Sequence, residues 1–277
     1  MDNKEYIADG EYGKRGYLKE PFRIFNIKDK KNETFEFHYH EFHKIVFFIS
    51  GDVKYIVEGK EYQLHPYDLL LVPCGYIHKP VINPDIEYER IIIWVNSEFF
   101  TNNSMLSECF ETAEKNKVNS IRINEKQVIN LFYQLCENDK DKFCGELMEK
   151  SLFLQLMILI NRLVIDSHSQ VNYKSDKTID KIIEYINGNL FTELSIEKIS
   201  EEFYISRYHL MHKFKTATGK TIHSYIQTKR LLYAMSMIKN GYSAKSACFH
   251  CGYKDYSVFL KAFRKEFGIT PKELKNY

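Results

Sequence analysis

A unit of 26 residues near the carboxyl-terminal end constrains the fold of this chain most, because it occurs twice. In the first copy, residues 194–219, Ile196, Ile199 and Phe203 recur at i, i+3 and i+7. This spacing predicts a short helix with one apolar stripe. Tyr204 and the residue after it then form a sharp corner, so we expect a second helix to follow at an angle.

The second helix of this unit combines a buried face with an unusual exposed face. Ser206 is a suitable N-cap, and Leu210 and Phe214 point back at the first helix. The residues left on or near the other face are polar, basic or aromatic, namely Arg207, Tyr208, His209, Met211, His212 and Lys213. Such a helix, braced by a shorter one, can enter the DNA major groove. An ordinary helical hairpin with a solvated face gives the same pattern, so one copy does not distinguish it from a DNA-binding motif.

The second copy, residues 243–268, repeats the layout and favours the DNA-binding interpretation. Ala244, Ala247 and Cys251 replace the apolar stripe, and Gly252 stands at the corner, where a positive φ is readily tolerated. Phe259 and Phe263 match Leu210 and Phe214. A repeated unit is a stronger indication than a single motif.

These residues resemble the carboxyl-terminal domain of the AraC/XylS family of transcription regulators. The family signature is present as Arg230, Leu231, Ala234, Gly252-Tyr253, Phe259, Phe263-Arg264-Lys265 and Gly268-Ile269-Thr270-Pro271. Ala244 and Ala247 stand where larger aliphatic residues are usual, and Ile222 stands where proline is common. The resemblance implies a transcription regulator, more often an activator than a repressor, that binds double-stranded DNA.

The resemblance also implies which residues contact DNA. The expected base readers are Arg207, Tyr208, Met211 and His212 in the first motif, and Tyr256, Ser257, Leu260 and Lys261 in the second. The expected phosphate contacts are Lys213, Lys215, Lys220, Arg264 and Lys265. A solvated charge is the alternative for each. One long helix, residues 223–240, separates the motifs, so we expect the two recognition helices to enter successive major grooves, roughly 34 Å apart.

The length of 277 residues suits two domains, and the charge is unevenly divided between them. Residues 176–277 hold 17 Lys and Arg against 10 Asp and Glu, a formal charge of +7, while residues 1–175 hold 22 against 27, a charge of −5. This asymmetry is typical of a DNA-binding domain joined to a sensor domain. The predicted segments are a polar arm (1–20), a β-rich sensor (21–98), a helical segment (99–167), a linker (168–175) and the DNA-binding domain (176–277), with helix-turn-helix motifs at about 194–217 and 243–267.

Residues 22–95 show short β-branched and aromatic runs separated by turns at Gly51, Gly59 and Pro66. This pattern predicts a small antiparallel β-barrel or jelly roll. The predicted fold class is therefore α+β, with an antiparallel, cupin-like β-barrel and linker helices ahead of an all-α domain.

Two places in this region resemble cupin motifs. His38 and His40 precede one strand, and His78 follows another. In metal-binding cupins such histidines converge with a glutamate, but Lys44 stands at the glutamate position here. We therefore predict no metal and no cofactor, and keep His38, His40 and His78 as the ligands to test. Hydrogen-bonded histidines lining the barrel are the alternative.

A barrel of this size can hold one small molecule. The expected pocket residues combine aromatic walls with a few polar groups, and are His38, His40, Tyr55, His78 and Trp94. The same residues also suit a plain barrel core, so both interpretations stay open. The chemical identity of the effector does not follow from these residues.

The helical segment carries one helix, residues 147–165, that is apolar on most of its circumference. Burial on more than one side is then required, which a two-fold homodimer through residues 145–166 or complete burial in one subunit would both provide. Gln155, Asn161 and Arg162 interrupt this stretch, so we expect no membrane span. The polar amino terminus and six scattered cysteines favour a cytoplasmic protein with reduced thiols.

The sequence thus predicts a regulator, not an enzyme, that binds DNA under the control of a small molecule, and that contacts RNA polymerase if it activates. Two alternatives remain. One is a metal-dependent cupin enzyme fused to a DNA-binding domain, and the other is a DNA-binding regulator with no small-molecule effector.

Overall fold

Strands dominate the first part of the chain and helices the last, in two units that comprise residues 1–174 and 175–277. The computed structural model describes residues 15–16, 18, 20–30, 34–101, 103–116, 119–166 and 173–274. Most of the predicted arm (1–20) and of the predicted linker (168–175) lies outside these residues.

Two antiparallel sheets and one short parallel pair make up the β-structure of the amino-terminal unit. The larger sheet has the strand order β10-β7-β4-β9-β2, the smaller has β6-β5-β8, and β1 pairs with β3. The strands are β1 (Arg15–Gly16), β2 (Phe22–Asp29), β3 (Tyr39–His40), β4 (Phe42–Ser50), β5 (Val53–Val57), β6 (Lys60–Gln63), β7 (Asp68–Val72), β8 (His78–Ile82), β9 (Tyr88–Asn96) and β10 (Ser120–Arg122).

The predicted antiparallel, cupin-like class is confirmed, and the structure adds that the barrel is not closed. The described strands form two facing sheets and not a continuous ring. At the edges of the smaller sheet, Glu61 on β6 forms an isolated bridge with Lys174, and His78 on β8 forms one with His38.

The turns between strands match the sequence pattern. Glu58 and Gly59 both have positive φ, 47° and 81°, as a tight hairpin between β5 and β6 requires. Gly51 lies against the backbone of Tyr88, where a Cβ would come within 3.0 Å of two atoms. Only glycine fits that position without a shift.

The central strand β4 divides the amino-terminal core in two. Val46 and Phe48 face the space between the sheets, whereas Ile45 and Phe47 face a layer of helices. This alternation follows the two-residue period of a strand. The helices are α1 (Glu108–Asn116), α2 (Lys126–Glu137) and α3 (Gly145–Asp166). The region predicted as helical also contributes β10, which pairs with β7.

Seven helices are described in the carboxyl-terminal unit. They are α4 (Lys177–Gly188), α5 (Ile196–Glu202), α6 (Arg207–Thr218), α7 (Ile222–Lys239), α8 (Ala244–His250), α9 (Tyr256–Phe267) and α10 (Pro271–Leu274). α7 is about 27 Å long at 1.5 Å per residue, and it is buried along most of its length. Among the described helices, none combines the length and apolar composition needed to cross a bilayer.

Candidate DNA-binding surface and ligand-binding interior

The first motif has the predicted helix–corner–helix form. The Ser195 hydroxyl accepts from the Lys198 amide at the start of α5, and the Ser206 hydroxyl accepts from the His209 amide at the start of α6. Leu210 is fully buried against the neighbouring helices. The four predicted base readers of this motif, Arg207, Tyr208, Met211 and His212, all lie exposed on α6.

The second motif repeats this form with a different cap. The Asp255 carboxylate accepts from the Val258 amide at the start of α9. Of the predicted base readers, Ser257 and Lys261 are exposed. Tyr256 and Leu260 are half-buried, because they also pack against the core formed by α7, α8 and α9. They therefore present only part of their surface to a ligand.

Several predicted DNA contacts are engaged within the protein. The Lys213 Nζ lies 2.8 Å from the carboxylate of Asp176, the N-cap of α4, and this contact lowers the pKa of Asp176. Lys220 donates to the Thr228 hydroxyl at 3.1 Å, and Arg207 forms an ion pair with Glu197 at 3.0 Å. Exposed positions are found for Lys215, Arg264 and Lys265.

The corner residue of the first motif was not among the predicted contacts, although the structure makes it conspicuous. Tyr204 has a φ of +51° and its side chain is 98% exposed. It occupies the place of Gly252, whose φ is +78°. A non-glycine residue in the left-handed region is uncommon. The alignment of the two copies already contained this indication, because it set a tyrosine opposite a glycine.

Arg230 joins segments that belong to both motifs. Its Nε donates to the Leu190 carbonyl at 2.7 Å, and its Nη2 donates to the Thr192 carbonyl at 2.6 Å. Its Nη1 reaches the Gly252 carbonyl at 3.5 Å. The guanidinium thus ties the segment before the first motif to the corner of the second.

In the amino-terminal unit, the predicted histidines converge between the sheets. The ring centroids of His38 and His78 are 4.4 Å apart, and His40 lies 4.9 and 5.1 Å from them. We call these three residues the histidine cluster. His78 is completely buried and His40 nearly so. Period-two alternation along β3 and pairing of His38 with His78 bring them together.

Hydrogen bonds orient two rings of the histidine cluster. The Nδ1 atoms of His38 and His78 lie 2.8 and 2.9 Å from the carbonyls of Glu36 and Tyr76. Since a carbonyl only accepts, each Nδ1 carries the proton. Burial, followed by the charge of nearby Lys44, lowers the pKa of His40 well below its usual value, and burial also lowers the pKa of His78. Both rings are therefore neutral near pH 7.

The remaining predicted pocket residues adjoin this cluster. Trp94 stacks on Phe42 with centroids 4.6 Å apart and lies 6.1 Å from His40. Tyr55 contributes its ring face 5.9 Å from the Nζ of Lys44. Among the predicted pocket residues, the buried polar atoms without a hydrogen-bond partner are His40 Nδ1, His78 Nε2 and Trp94 Nε1.

A metal ion fits this cluster incompletely. The candidate ligand atoms all lie within 4.8 Å of one another. A tetrahedral zinc site with bonds of about 2.05 Å would bring its nitrogens to about 3.3 Å. The rings would have to close inward beside Lys44, whose positive charge already helps to lower the pKa of His40 and of His78. No carboxylate completes the group in the described part of the chain.

Comparison with protein families identifies both halves of the chain. A helix-turn-helix domain model matches residues 199–277, and a cupin domain model matches residues 26–96. The first match covers both motifs apart from the start of α5. The second extends from the middle of β2 to the end of β9 and contains the histidine cluster.

Named relatives span most of the chain. The HTH-type transcriptional activator RhaS of Mannheimia succiniciproducens is 24% identical, over 88% of this chain and 90% of that protein. RhaR of the same organism is 26% identical, over 87% of each.

Among solved structures, ToxT from Vibrio cholerae covers 92% of this chain with a TM-score of 0.38 and 16% identity. The DNA-binding domain of AdpA in complex with a target DNA covers 37% of this chain, with a TM-score of 0.35 and 21% identity. On the family models and the relatives, the chain carries a cupin domain ahead of an AraC-type helix-turn-helix domain and is similar along most of its length to HTH-type transcriptional activators.

Proposed function

We propose that this protein is a cytoplasmic transcription activator that reads DNA with α6 and α9 and contacts RNA polymerase when bound. The observation that carries the proposal is the duplicated motif, in which both recognition helices keep polar and basic side chains exposed. The formal charge of +7 over residues 176–277 supports it, because phosphate neutralisation supplies much of the affinity for DNA. The names of the relatives favour activation.

The DNA-binding test begins with selection of binding sites from random duplexes by the full chain. Lys261→Ala should lose about 1–3 kcal/mol on the selected site and relax one base position, because a base contact is removed. Lys265→Ala should weaken all duplexes alike and lower the salt slope by about 1. Fluorescence anisotropy over a range of salt concentrations measures both.

Lys150→Ala, at an exposed position on α3, is the matched control and should leave the binding curve unchanged. If Lys261→Ala bound the selected site as tightly as the parent protein, α9 would not lie in the major groove as proposed.

We further propose that a small molecule bound between the two sheets controls this activity. The histidine cluster, Tyr55 and Trp94 support the proposal, because they combine aromatic surface with buried polar atoms that lack partners. A ligand would act by favouring one arrangement of the protein over another. The test compares DNA affinity with and without compounds that raise the melting temperature.

We infer that the protein is not an enzyme, and the cluster supplies the rival interpretation. Three neutral imidazoles are suitable ligands for iron, manganese or zinc, as a cupin enzyme would need. Elemental analysis of the purified protein distinguishes the enzyme from the regulator, because near-stoichiometric metal would favour the enzyme.

A regulator without a small-molecule effector is the other alternative. It would show no shift in melting temperature with any metabolite.

A further inference from the structure

Lys44 is a buried cation that has no acidic partner among the residues that the structure describes. Its side chain leaves β4 on the same face as Val46 and Phe48, and only 8% of its surface is exposed. Within the described part of the chain it forms no ion pair, and its aromatic contact is the face of Tyr55. A buried charge of this kind destabilises a fold unless something neutralises it.

Arg90 is the other buried cation on this face of the larger sheet, and it has an acidic partner. It is 4% exposed, and its guanidinium pairs with the carboxylate of Asp29 and lies 4.1 Å over the ring of Tyr88. In the described part of the chain, an acid is therefore present for one of these buried cations and not for the other. The missing partner of Lys44 marks the place where an anion from outside would fit.

The groups around Lys44 also determine which hydrogen-bonding groups a ligand would need. Trp94 is its direct cross-strand neighbour, and the indole Nε1, which can only donate, is buried without a partner. The Nε2 of His78 is also buried without a partner. Because Nδ1 of the same ring carries the proton, Nε2 is an acceptor. A carboxylate satisfies the ammonium and the indole, and a hydroxyl group satisfies the imidazole.

We propose that the space between the sheets binds a small hydroxycarboxylate. Its carboxylate accepts from Lys44 and Trp94, and its hydroxyl donates to His78. The rings of Trp94 and Phe42 pack against its carbon chain. This inference rests on the proposed control by a small molecule and names the chemical class of that molecule.

A divalent metal is the competing occupant of the same cluster, and the charge on Lys44 argues against it. An ammonium group in this interior repels a dication, whereas it attracts a carboxylate in a setting where water screens little. The two occupants also differ in the residue on which they depend. A metal requires all three histidines, while the acid requires Lys44 first.

The test uses the full chain and acids paired with close analogues that lack one of the two groups. Gluconate is compared with glucitol, malate with succinate, and lactate with propane-1,2-diol. Trp94 is the only tryptophan in the sequence, so its fluorescence reports on this site alone. We expect at least one hydroxy acid to change the emission and raise the melting temperature, and its analogue to bind at least tenfold more weakly.

Lys44→Met removes the charge and keeps most of the side chain. This variant should bind the active acid at least tenfold more weakly, and its free form should melt at a higher temperature than the parent, because an unpaired buried charge is gone. Lys54→Met is the control, since Lys54 is half-exposed and already paired with Glu61. It should bind like the parent protein.

Three results would overturn the inference. One is a panel in which no acid is preferred to its analogue. Another is undiminished binding by Lys44→Met. The third is stoichiometric binding of Co²⁺ that disappears in His78→Ala, with no response to any acid. An acid that changes Trp94 emission but not DNA affinity would support the site and contradict only the proposed regulation.

Discussion

At the scale of single residues, the two corners of the helix-turn-helix motifs show how one backbone requirement is met in two ways. Both corners need a positive φ, which Gly252 adopts freely and Tyr204 adopts at a cost of about 1–2 kcal/mol. Tyr204 is 98% exposed, so packing does not repay that cost. We infer that the tyrosine is kept for a contact outside the chain, for which DNA is the natural candidate.

Substitutions at the two corners should have opposite effects on stability. Tyr204→Gly should raise the free energy of unfolding by up to about 1 kcal/mol, because the strain is relieved and only part is lost to unfolded-state entropy. Gly252→Ala should lower it, since the new Cβ would lie 3.1 Å from the Phe191 carbonyl and 3.2 Å from Arg230. Urea titration of the full chain measures both.

Tyr204→Ala is the control, because it removes the ring and keeps the strained backbone. It should not stabilise the protein. Stabilisation by alanine as large as that by glycine would contradict the strain interpretation.

His43 is a second residue with a measurable consequence, and it lies on the opposite face of β4 from Lys44. Burial lowers its pKa to about 4, among Phe100 and Phe110, while its Nδ1 accepts from the Cys74 amide. In the unfolded chain the pKa returns to about 6.5. Between these values the unfolded state binds more protons, so stability falls as the pH falls.

The expected loss from His43 is up to about 3 kcal/mol between pH 6.5 and pH 4. His43→Leu should flatten the pH dependence of the free energy of unfolding in that window. His223→Leu, at an exposed position, should leave the slope as in the parent. Equal slopes for the parent and His43→Leu would show that another group controls the acid response.

At the scale of elements, Arg230 fixes α7 to segments on both sides of it. Hydrogen bonds from a charged donor contribute about 1.5–3 kcal/mol when buried. Removing the guanidinium also leaves the carbonyls of Leu190 and Thr192 without this donor. The placement of the second corner relative to α7 therefore depends on one side chain.

Arg230→Met should lower the free energy of unfolding by about 2–3 kcal/mol and weaken binding to the selected DNA site. Arg230→Lys keeps the charge but cannot form the same fork of bonds, so its effect should be similar in direction and somewhat smaller. Chemical unfolding followed by anisotropy measures the two effects. A variant as stable as the parent would show that the observed bonds contribute little.

Elements whose determinants are local were predictable from the sequence. The caps Ser195 and Ser206, the apolar stripe of α5 and the glycine corner of the second motif each depend on residues within one turn or two. The strand β10 was missed, because three residues carry too little pattern and pair with a strand about 50 positions earlier. Whether the barrel closes was not predictable for a similar reason, since pairing between distant edges decides it.

The candidate site was predictable only in part. Alternation along a strand predicted that His38 and His40 share a face, and the cupin resemblance added His78. The sequence placed Lys44 near them but did not show that no described acid pairs with it, because Asp29 lies on another strand and pairs with Arg90. Unpaired charge depends on every neighbour at once, which a linear pattern does not contain.

At the scale of the whole molecule, α3 carries an apolar stripe that the amino-terminal unit leaves uncovered. Leu147, Ile158 and Ile165 are 66%, 41% and 58% exposed, and their spacing of 11 and 7 residues keeps them on one side of the helix. The opposite side packs against the larger sheet and α2. We propose that a second copy of the chain covers this stripe, which would place the DNA-binding units in pairs.

Ile158→Glu should convert the dimer to a monomer, because two-fold symmetry would bring two new carboxylates together. Sedimentation velocity of the full chain at several concentrations measures the change. Lys126→Glu, at the exposed start of α2, is the control and should sediment like the parent. A parent protein that is monomeric at every concentration would contradict the proposed interface.

The isolated bridge between Lys174 and Glu61 holds the end of the amino-terminal unit against its smaller sheet. Tyr173 adds a ring contact with Tyr62, at 5.5 Å, so two consecutive residues at the end of the amino-terminal unit contact the edge strand β6. Asp176 then caps α4, which leaves Ser175 alone between the last rung of the sheet and the first turn of the helix. The pairing therefore fixes the path of the chain as far as Lys174, two residues before the N-cap of α4.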